Sequence, residues 1–106
     1  MPDIYRSLGD PTRRKILHML KNGEKTQKEL VRAFDISQPA IKKHLKILLD
    51  EQIITEQIHG KYRVYRLDSF MLKTAYEEML HDIGDLLDHQ LTSLKEYVEK
   101  GEEKLE

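Results

Sequence analysis

The fold follows from residues 37–49, which read SQPAIKKHLKILL. Taken as a helix, this stretch has two faces of opposite character, because its apolar residues recur at steps of three and four. The apolar face carries Ile41, Leu45, Leu48 and Leu49, and the opposite face carries Gln38, Lys42, Lys43 and Lys46. Ser37 is a favourable N-cap, and Pro39 is tolerated because first-turn N–H groups have no intrahelical partner. The stretch predicts a short helix with one anchored face and one basic face.

A helix of this kind fits the major groove of DNA. Lysines there contact phosphates or guanine edges, and a Gln near the N-terminus can pair with adenine. The alternative is an ordinary amphipathic surface helix whose lysines are only solvated. His44 lies between the two faces, where it either hydrogen-bonds a phosphate or packs and satisfies a backbone carbonyl. The elements on both sides of the stretch decide between these interpretations.

Two helix starts precede the stretch. Asp10 and Pro11 form one, as an N-cap and a first-turn proline, and the apolar residues Ile16, Leu17 and Leu20 follow at helical spacing. Residues 26–29, which read TQKE, have the form of a capping box and open a second short helix. About three residues then separate this helix from the basic helix. The order predicts a helix-turn-helix.

A hairpin is predicted directly after the basic helix. Residues 53–58 and 62–67 are rich in β-branched and aromatic residues, and a short loop with Gly60 joins them. Lys61 and Arg63 lie near the tip, whereas Tyr62 and Tyr65 are read as core and strand-pairing residues. A two-stranded hairpin is barely stable alone, so it must pack on the helices. The predicted fold is mostly α with a two-stranded β-hairpin, a winged helix-turn-helix.

The last third of the chain predicts a long helix from about residue 70 to residue 100. Such a helix is roughly 45 Å long at 1.5 Å per residue, more than one small domain can cover. Its surplus apolar stripe therefore needs a partner, and a second copy of the chain is the simplest candidate. Gly84 interrupts the stripe and predicts a kink, a close helix crossing or a break.

The net charge of −1 conceals two halves of opposite sign. Residues 1–67 carry 14 Lys and Arg against 8 Asp and Glu, a net charge of +6, and residues 68–106 carry 4 against 11, a net charge of −7. This charge asymmetry indicates that the two halves of the chain have different functions. Within one domain, residues 1–68 are the predicted DNA-binding region, and residues 69–106 the predicted dimerisation helix and charged tail.

Several classes of protein are disfavoured by the sequence. The absence of cysteine excludes disulfides and thiolate metal sites and fits a reducing compartment. No stretch approaches the ~20 apolar residues of a membrane span, and the first residues lack a signal-peptide pattern. No phosphate loop, nucleophile elbow or HExxH motif is present. We therefore expect a cytoplasmic protein that is not an enzyme, needs no cofactor and does not bind membranes.

Three strings resemble the ArsR/SmtB family of winged-helix transcriptional repressors. Residues 8–17 (LGDPTRRKIL) resemble the early helix of that family, residues 36–48 (ISQPAIKKHLKIL) the recognition helix, and residues 65–67 (YRL) the end of the second wing strand. The resemblance covers roughly residues 4–90. It implies a homodimeric repressor that binds an inverted-repeat operator in double-stranded DNA. Within the family, the chain resembles the metal-independent subgroup, in which some members repress their own operon.

The resemblance and the residue patterns together give the predicted site residues. The predicted DNA contacts in the basic helix and the wing are Ser37, Gln38, Pro39, Lys42, Lys43, Lys46, His59, Lys61 and Arg63. The resemblance places the dimer interface on the first and last helices. The predicted interface residues there are Ile4, Tyr5, Leu8, Tyr76, Leu80, Ile83, Leu87, Leu91 and Leu94.

The familiar metal-sensing motifs of the family are not matched. The cysteine motif is absent, and residues 81–89 do not reproduce the Asp and His spacing of the other site. The resemblance therefore does not identify an effector, meaning a metal or other ligand that would regulate DNA binding. His81, Asp85 and His89 recur every four residues, so they share one helix face and could hold Zn²⁺. The favoured interpretation is a polar outer face without a metal.

A second function of a different class remains open from the sequence. The winged helix could serve as a protein-interaction module, with the acidic helix at residues 70–100 as its binding surface and the lysines only solvated. The two functions differ in whether the chain binds DNA with an affinity that falls as salt rises.

Overall fold

The computed structural model describes residues 3–105, apart from the side chains of Leu91 and of residues 100–105. It divides into two compact units, Met1–Tyr76 and Glu77–Glu106. The elements in chain order are α1 (Ile4–Leu8), α2 (Pro11–Leu20), β1 (Lys25–Thr26), α3 (Gln27–Arg32), α4 (Gln38–Asp50), β2 (Ile54–His59), β3 (Tyr62–Leu67) and α5 (Ser69–Leu105). A helix-turn-helix, a hairpin and a long last helix are thus present, as the sequence predicts.

The helix starts are capped by the predicted residues. The Asp10 carboxylate accepts a hydrogen bond from the Thr12 N–H at 2.7 Å, and this bond lowers the pKa of Asp10 below its ordinary value. Thr26 and Glu29 complete a capping box at the start of α3. The Ser37 hydroxyl accepts from the Ala40 N–H at 3.3 Å at the start of α4. These local bonds fix where α2, α3 and α4 begin.

The sheet has three strands, one more than predicted. The hairpin of β2 and β3 is confirmed, and β1 adds to its outer side in the order β1-β3-β2, pairing Lys25 with Tyr65 and Thr26 with Val64. β1 has two residues only, too few to show an alternating pattern in the sequence. Gly60 takes a φ of +63° in the two-residue hairpin turn, a conformation that glycine adopts without strain.

One apolar core holds the helix-turn-helix and the sheet together. The predicted inward faces of α2 and α4 are confirmed, since all their predicted residues are buried except Leu49, which is half-buried. Ile4 of α1 and Leu30 of α3 contribute to the same core. The buried apolar side chains are Ile4, Ile16, Leu17, Leu20, Leu30, Ile41, Leu45, Leu48, Ile53, Ile54, Val64, Tyr65 and Ala75. Burial of this face fixes which side of α4 meets solvent.

The helix α5 begins directly after Asp68, whose carboxylate accepts a hydrogen bond from the Met71 N–H at 3.0 Å. In the first unit its buried residue is Ala75, whereas Phe70 is 74% exposed. Phe70 therefore lies outside the core of the first unit. The helix is continuous through Gly84, which excludes a break into two helices. Among the described residues, none of the helices combines the length and apolar character that crossing a bilayer requires.

Substitution of Gly84 tests whether another chain packs closely against α5 at this position. A Cβ built at Gly84 has no atom within 4 Å apart from its own helix. We expect Gly84→Ala to stabilise the protein by about 0.5–1 kcal/mol, because alanine has the better helix propensity. Thermal unfolding measures the change. A lower melting temperature would instead indicate that a second chain crosses α5 closely at this position.

Ser7 of α1 is a buried polar residue in the core. It is fully buried, and its hydroxyl has no hydrogen-bond partner among the described residues. We expect Ser7→Ala to stabilise the protein by about 1 kcal/mol, because a buried hydroxyl without a partner carries a desolvation cost. Urea unfolding measures the effect. The control Ser93→Ala replaces an exposed helical serine, so it reports the change in helix propensity alone. An equal gain in stability for Ser93→Ala would show that burial of the Ser7 hydroxyl does not explain the effect.

Candidate nucleic-acid interface

The outward side of α4 is basic. Lys42, Lys43 and Lys46 are exposed, and none of them forms a salt bridge within the described part of the chain. Gln38 and Pro39 are exposed at the start of the same helix. Because Ile41, Leu45 and Leu48 are buried behind them, α4 cannot turn these lysines away from solvent without opening the core. Ser37 is exposed as well, and its hydroxyl is engaged in the helix cap.

The hairpin carries its predicted residues at its tip. His59 and Tyr62 face each other in the last pair of the ladder, and Lys61 occupies the turn. The Lys61 Nζ lies 5.5 Å from the centroid of the Tyr62 ring, and His59 Nε2 lies 3.1 Å from Gln57 Oε1. All four side chains are exposed. The turn thus presents a cation beside an exposed aromatic ring.

Arg63 is held by the sheet. Its Nη1 lies 3.2 Å from Glu56 Oε1, and the second oxygen of this carboxylate accepts from the Tyr65 hydroxyl at 2.7 Å. Burial raises the pKa of Tyr65, and the hydrogen bond to Glu56 raises it further. Tyr65 therefore remains a neutral donor. Glu56 is engaged on both oxygens, so the carboxylate that contacts Arg63 is already paired.

Two adjoining clefts separate the helices from the hairpin. The larger has a volume of about 550 Å³ and lies between α3, the start of α4 and the hairpin tip; the smaller, of about 210 Å³, lies between α4 and the sheet. Gln27 and Arg63 line both. The other residues of the larger cleft are Thr26, Lys28, Val31, Arg32, Gln38, Lys61 and Tyr62, and those of the smaller are Lys42, Leu45, Lys46, Leu49, Glu56 and Tyr65.

The clefts bring together most of the predicted DNA contacts. Gln38, Lys61 and Arg63 line the larger cleft, and Lys42 and Lys46 line the smaller one with Arg63. The remaining predicted contacts, Ser37, Pro39, Lys43 and His59, line neither cleft. The sequence reasoning missed Lys28 and Arg32 of α3. Their spacing of four residues, which places both on one helix face, is a signal that could have identified them.

His44 is held by α2. Its Nδ1 lies 3.1 Å from Nη1 of Arg13, whose Nε donates to the Arg6 carbonyl at 3.0 Å. Arginine is only a donor, so Nδ1 accepts and the ring proton is on Nε2. The Nδ1 atom of His44 is thus engaged by a side chain of α2. Arg13 instead connects α1 and α2 to the basic helix.

His81, Asp85 and His89, the candidate metal ligands, all lie on α5 and are all exposed. Within the part of the chain that the structure describes, no group of three or more His, Asp or Glu residues is placed to hold a metal ion. The structure therefore does not bring these three side chains together into a metal site.

A helix-turn-helix with an outward basic second helix, followed by a basic hairpin, defines a winged-helix DNA-binding domain. The chain belongs to the ArsR family. The model of that family, "Bacterial regulatory protein, arsR family", matches residues 10–56. Together with the relatives described next, this match confirms the resemblance seen in the sequence, and the chain is a DNA-binding transcriptional repressor.

Relatives with assigned names agree with this family. The chain is 36% identical to the transcriptional repressor SdpR of Bacillus subtilis over 84 residues, and this alignment covers 79% of this chain and 93% of SdpR. Over 76 residues the chain is 33% identical to the arsenical resistance operon repressor of Staphylococcus aureus, covering 72% and 73%. A solved structure described as a possible transcriptional regulator for arsenical resistance matches with a TM-score of 0.74 and 30% identity, covering 88% of this chain and 97% of that one.

Proposed function

We propose that the protein acts in the cytoplasm as a homodimer on an inverted-repeat operator, and that it has no catalytic activity. Each protomer would place α4 in a major groove, with the half-sites about one helical turn, ~34 Å, apart. In this proposal residues 1–68 bind DNA and residues 69–106 dimerise and carry the tail. Ser37, Gln38, Pro39, Lys42, Lys43 and Lys46 would contact DNA from α4, and His59, Lys61 and Arg63 from the wing.

The observation that carries the dimer is the exposed apolar row on α5. Tyr76, Leu80, Ile83, Leu87 and Leu94 follow one another at helical steps and are 40–57% exposed. A row of large apolar side chains of this extent is typical of a protein–protein interface. Because the row lies along a single helix, a second copy of α5 offers an equivalent surface, as a two-fold symmetric dimer requires.

The predicted interface residues of the first helix differ in how much surface they offer. Tyr5 is 52% exposed, Leu8 is half-buried, and Ile4 is buried in its own chain. Ile4 therefore has little surface left for a partner, so in our proposal Tyr5 makes the main contact from α1. Leu91, also predicted at the interface, has its side chain outside the described residues.

The negative charge of the last helix supports a division of labour between the two parts. Residues 68–106 carry a net charge of −7, which repels DNA phosphates. We therefore propose that residues 69–106 do not contact the operator.

Fluorescence anisotropy tests this function. The purified protein is titrated against DNA from the region upstream of its own gene, with a scrambled duplex as the control, and light scattering measures its mass. We expect a dimer that binds the upstream duplex tightly, binds the scrambled one much more weakly, and loses affinity as salt rises. Such a result would also support autoregulation. Equal binding to both duplexes would contradict it, and an intact dimer that binds neither would favour a protein-interaction module.

A further inference from the structure

The larger cleft is lined by cations from two different elements. Lys28 and Arg32 extend from α3, and Lys61 and Arg63 extend from the hairpin. No carboxylate lines this cleft, and Lys28, Arg32 and Lys61 form no salt bridge within residues 3–105 as described. Arg63 is paired with Glu56, which leaves three positive groups around the open space that have no carboxylate partner among the described residues, and these groups would attract an anion.

The cleft is large enough for part of a nucleic-acid backbone. Its volume is about 550 Å³, and successive phosphates of one DNA strand advance about 3.4 Å along the helix axis.

The cationic lining continues beyond the larger cleft. The smaller cleft shares Gln27 and Arg63 with it and adds Lys42 and Lys46 of the recognition helix. A small isolated anion would need one cluster of cations only. A lining that runs from α3 along the hairpin to α4 matches an extended polyanion that continues toward the groove occupied by α4.

We infer that one phosphodiester strand of the operator runs through this cleft, and that Lys28 and Arg32 bind its phosphates. This inference rests on the proposed operator binding and adds to it a contact surface on α3. Gln27, Gln38 and Tyr62 line the same path and supply neutral hydrogen-bonding groups. The strand would lie between two sets of cations, Lys28 and Arg32 on one side and Lys61 and Arg63 on the other.

The double variant Lys28→Ala/Arg32→Ala tests the inference. Both side chains are exposed and form no salt bridge with any residue that the structure describes, so we expect the variant to fold and dimerise like the parent protein. Its affinity for operator should fall by about tenfold or more, and the slope of log K against log salt should become shallower by roughly 3 to 4 for the four lost contacts of a dimer. Lys28→Arg/Arg32→Lys keeps both charges and should restore the slope.

Lys73→Ala/Lys95→Ala is the matched control, since it removes two exposed cations from α5. An unchanged slope in the cleft variant would overturn the inference, and so would an equal change in the control. If Lys42→Ala/Lys43→Ala loses operator binding while the cleft variant keeps its slope, the proposed function stands and the strand path is wrong. A parent protein that binds no duplex would overturn both.

Discussion

Replacing Lys42 and Lys43 with alanine is expected to abolish operator binding while the protein remains folded and dimeric. Both side chains are exposed and form no salt bridge within the described residues, so their loss removes no contact on which the core depends. Substitutions at such positions usually change stability by less than about 0.5 kcal/mol. The core face of α4, formed by Ile41, Leu45 and Leu48, is untouched.

The loss of binding should be large because each dimer loses four cations at its DNA surface. Phosphate and base contacts of this kind together predict a fall of roughly 100- to 1,000-fold in affinity at moderate salt. Anisotropy titrations at several salt concentrations measure it, and circular dichroism with light scattering confirms fold and mass. Retained operator binding at moderate salt would refute the assignment of α4 as the recognition helix.

The single variants Lys42→Ala and Lys43→Ala distinguish a contact to phosphate from a contact to a base edge. Lys42 lines the smaller cleft with Lys46, whereas Lys43 lines neither cleft. A lysine that binds only phosphate weakens all duplexes alike, whereas one that reads a base edge weakens the operator more than the scrambled duplex. Comparing the two variants on both duplexes therefore shows which lysine contributes specificity.

Local signals explain why the helix-turn-helix could be predicted from the sequence. The caps at Asp10, Thr26 and Ser37 act over two or three residues, so the chain itself carries nearly all the information that places the starts of α2, α3 and α4. The apolar spacing of α4 likewise identifies its buried face without knowledge of the partner elements. The composition of the hairpin and its glycine turn are local in the same sense.

Contacts between distant residues explain what the sequence did not reveal. β1 exists because Lys25 and Thr26 pair with a strand about 40 residues later in the chain, and a two-residue strand has no periodicity of its own. The bond between Arg13 and His44 joins residues 31 positions apart. The cleft depends on how closely α3 approaches the hairpin, so the spacing of Lys28 and Arg32 places both on one helix face but does not show what that face meets.

The division of the α5 stripe between its own chain and a partner could not be predicted for a related reason. An apolar stripe along a long helix identifies residues that need a partner, but not which partner covers each part of the stripe. In the first unit a small residue, Ala75, is buried, and the large Phe70 remains exposed. The exposed apolar residues of α5 are therefore left for another surface, which we propose to be the same helix of a second chain.

The double variant Ile83→Glu/Leu87→Glu is expected to convert the proposed dimer into a monomer. These side chains are 40% and 52% exposed in the single chain, so the charges meet solvent in the monomer and the fold is retained. In a dimer built on this row, the two new glutamates of each protomer, four in all, would be buried without partners. Burial of the half-exposed parent side chains contributes about 1 kcal/mol each, so the dimer dissociation constant should rise by roughly three orders of magnitude.

Light scattering and sedimentation at micromolar concentration measure the mass, and anisotropy compares the full operator with a single half-site. Because the DNA surface of each protomer is intact, affinity for a half-site should be unchanged, while the gain from binding two half-sites together is lost. The control His81→Glu/His89→Glu adds the same number of glutamates at exposed positions of α5 that lie opposite the apolar row by helical spacing. If His81→Glu/His89→Glu also becomes monomeric, general charge repulsion explains the effect; if Ile83→Glu/Leu87→Glu stays dimeric, this row is not the interface.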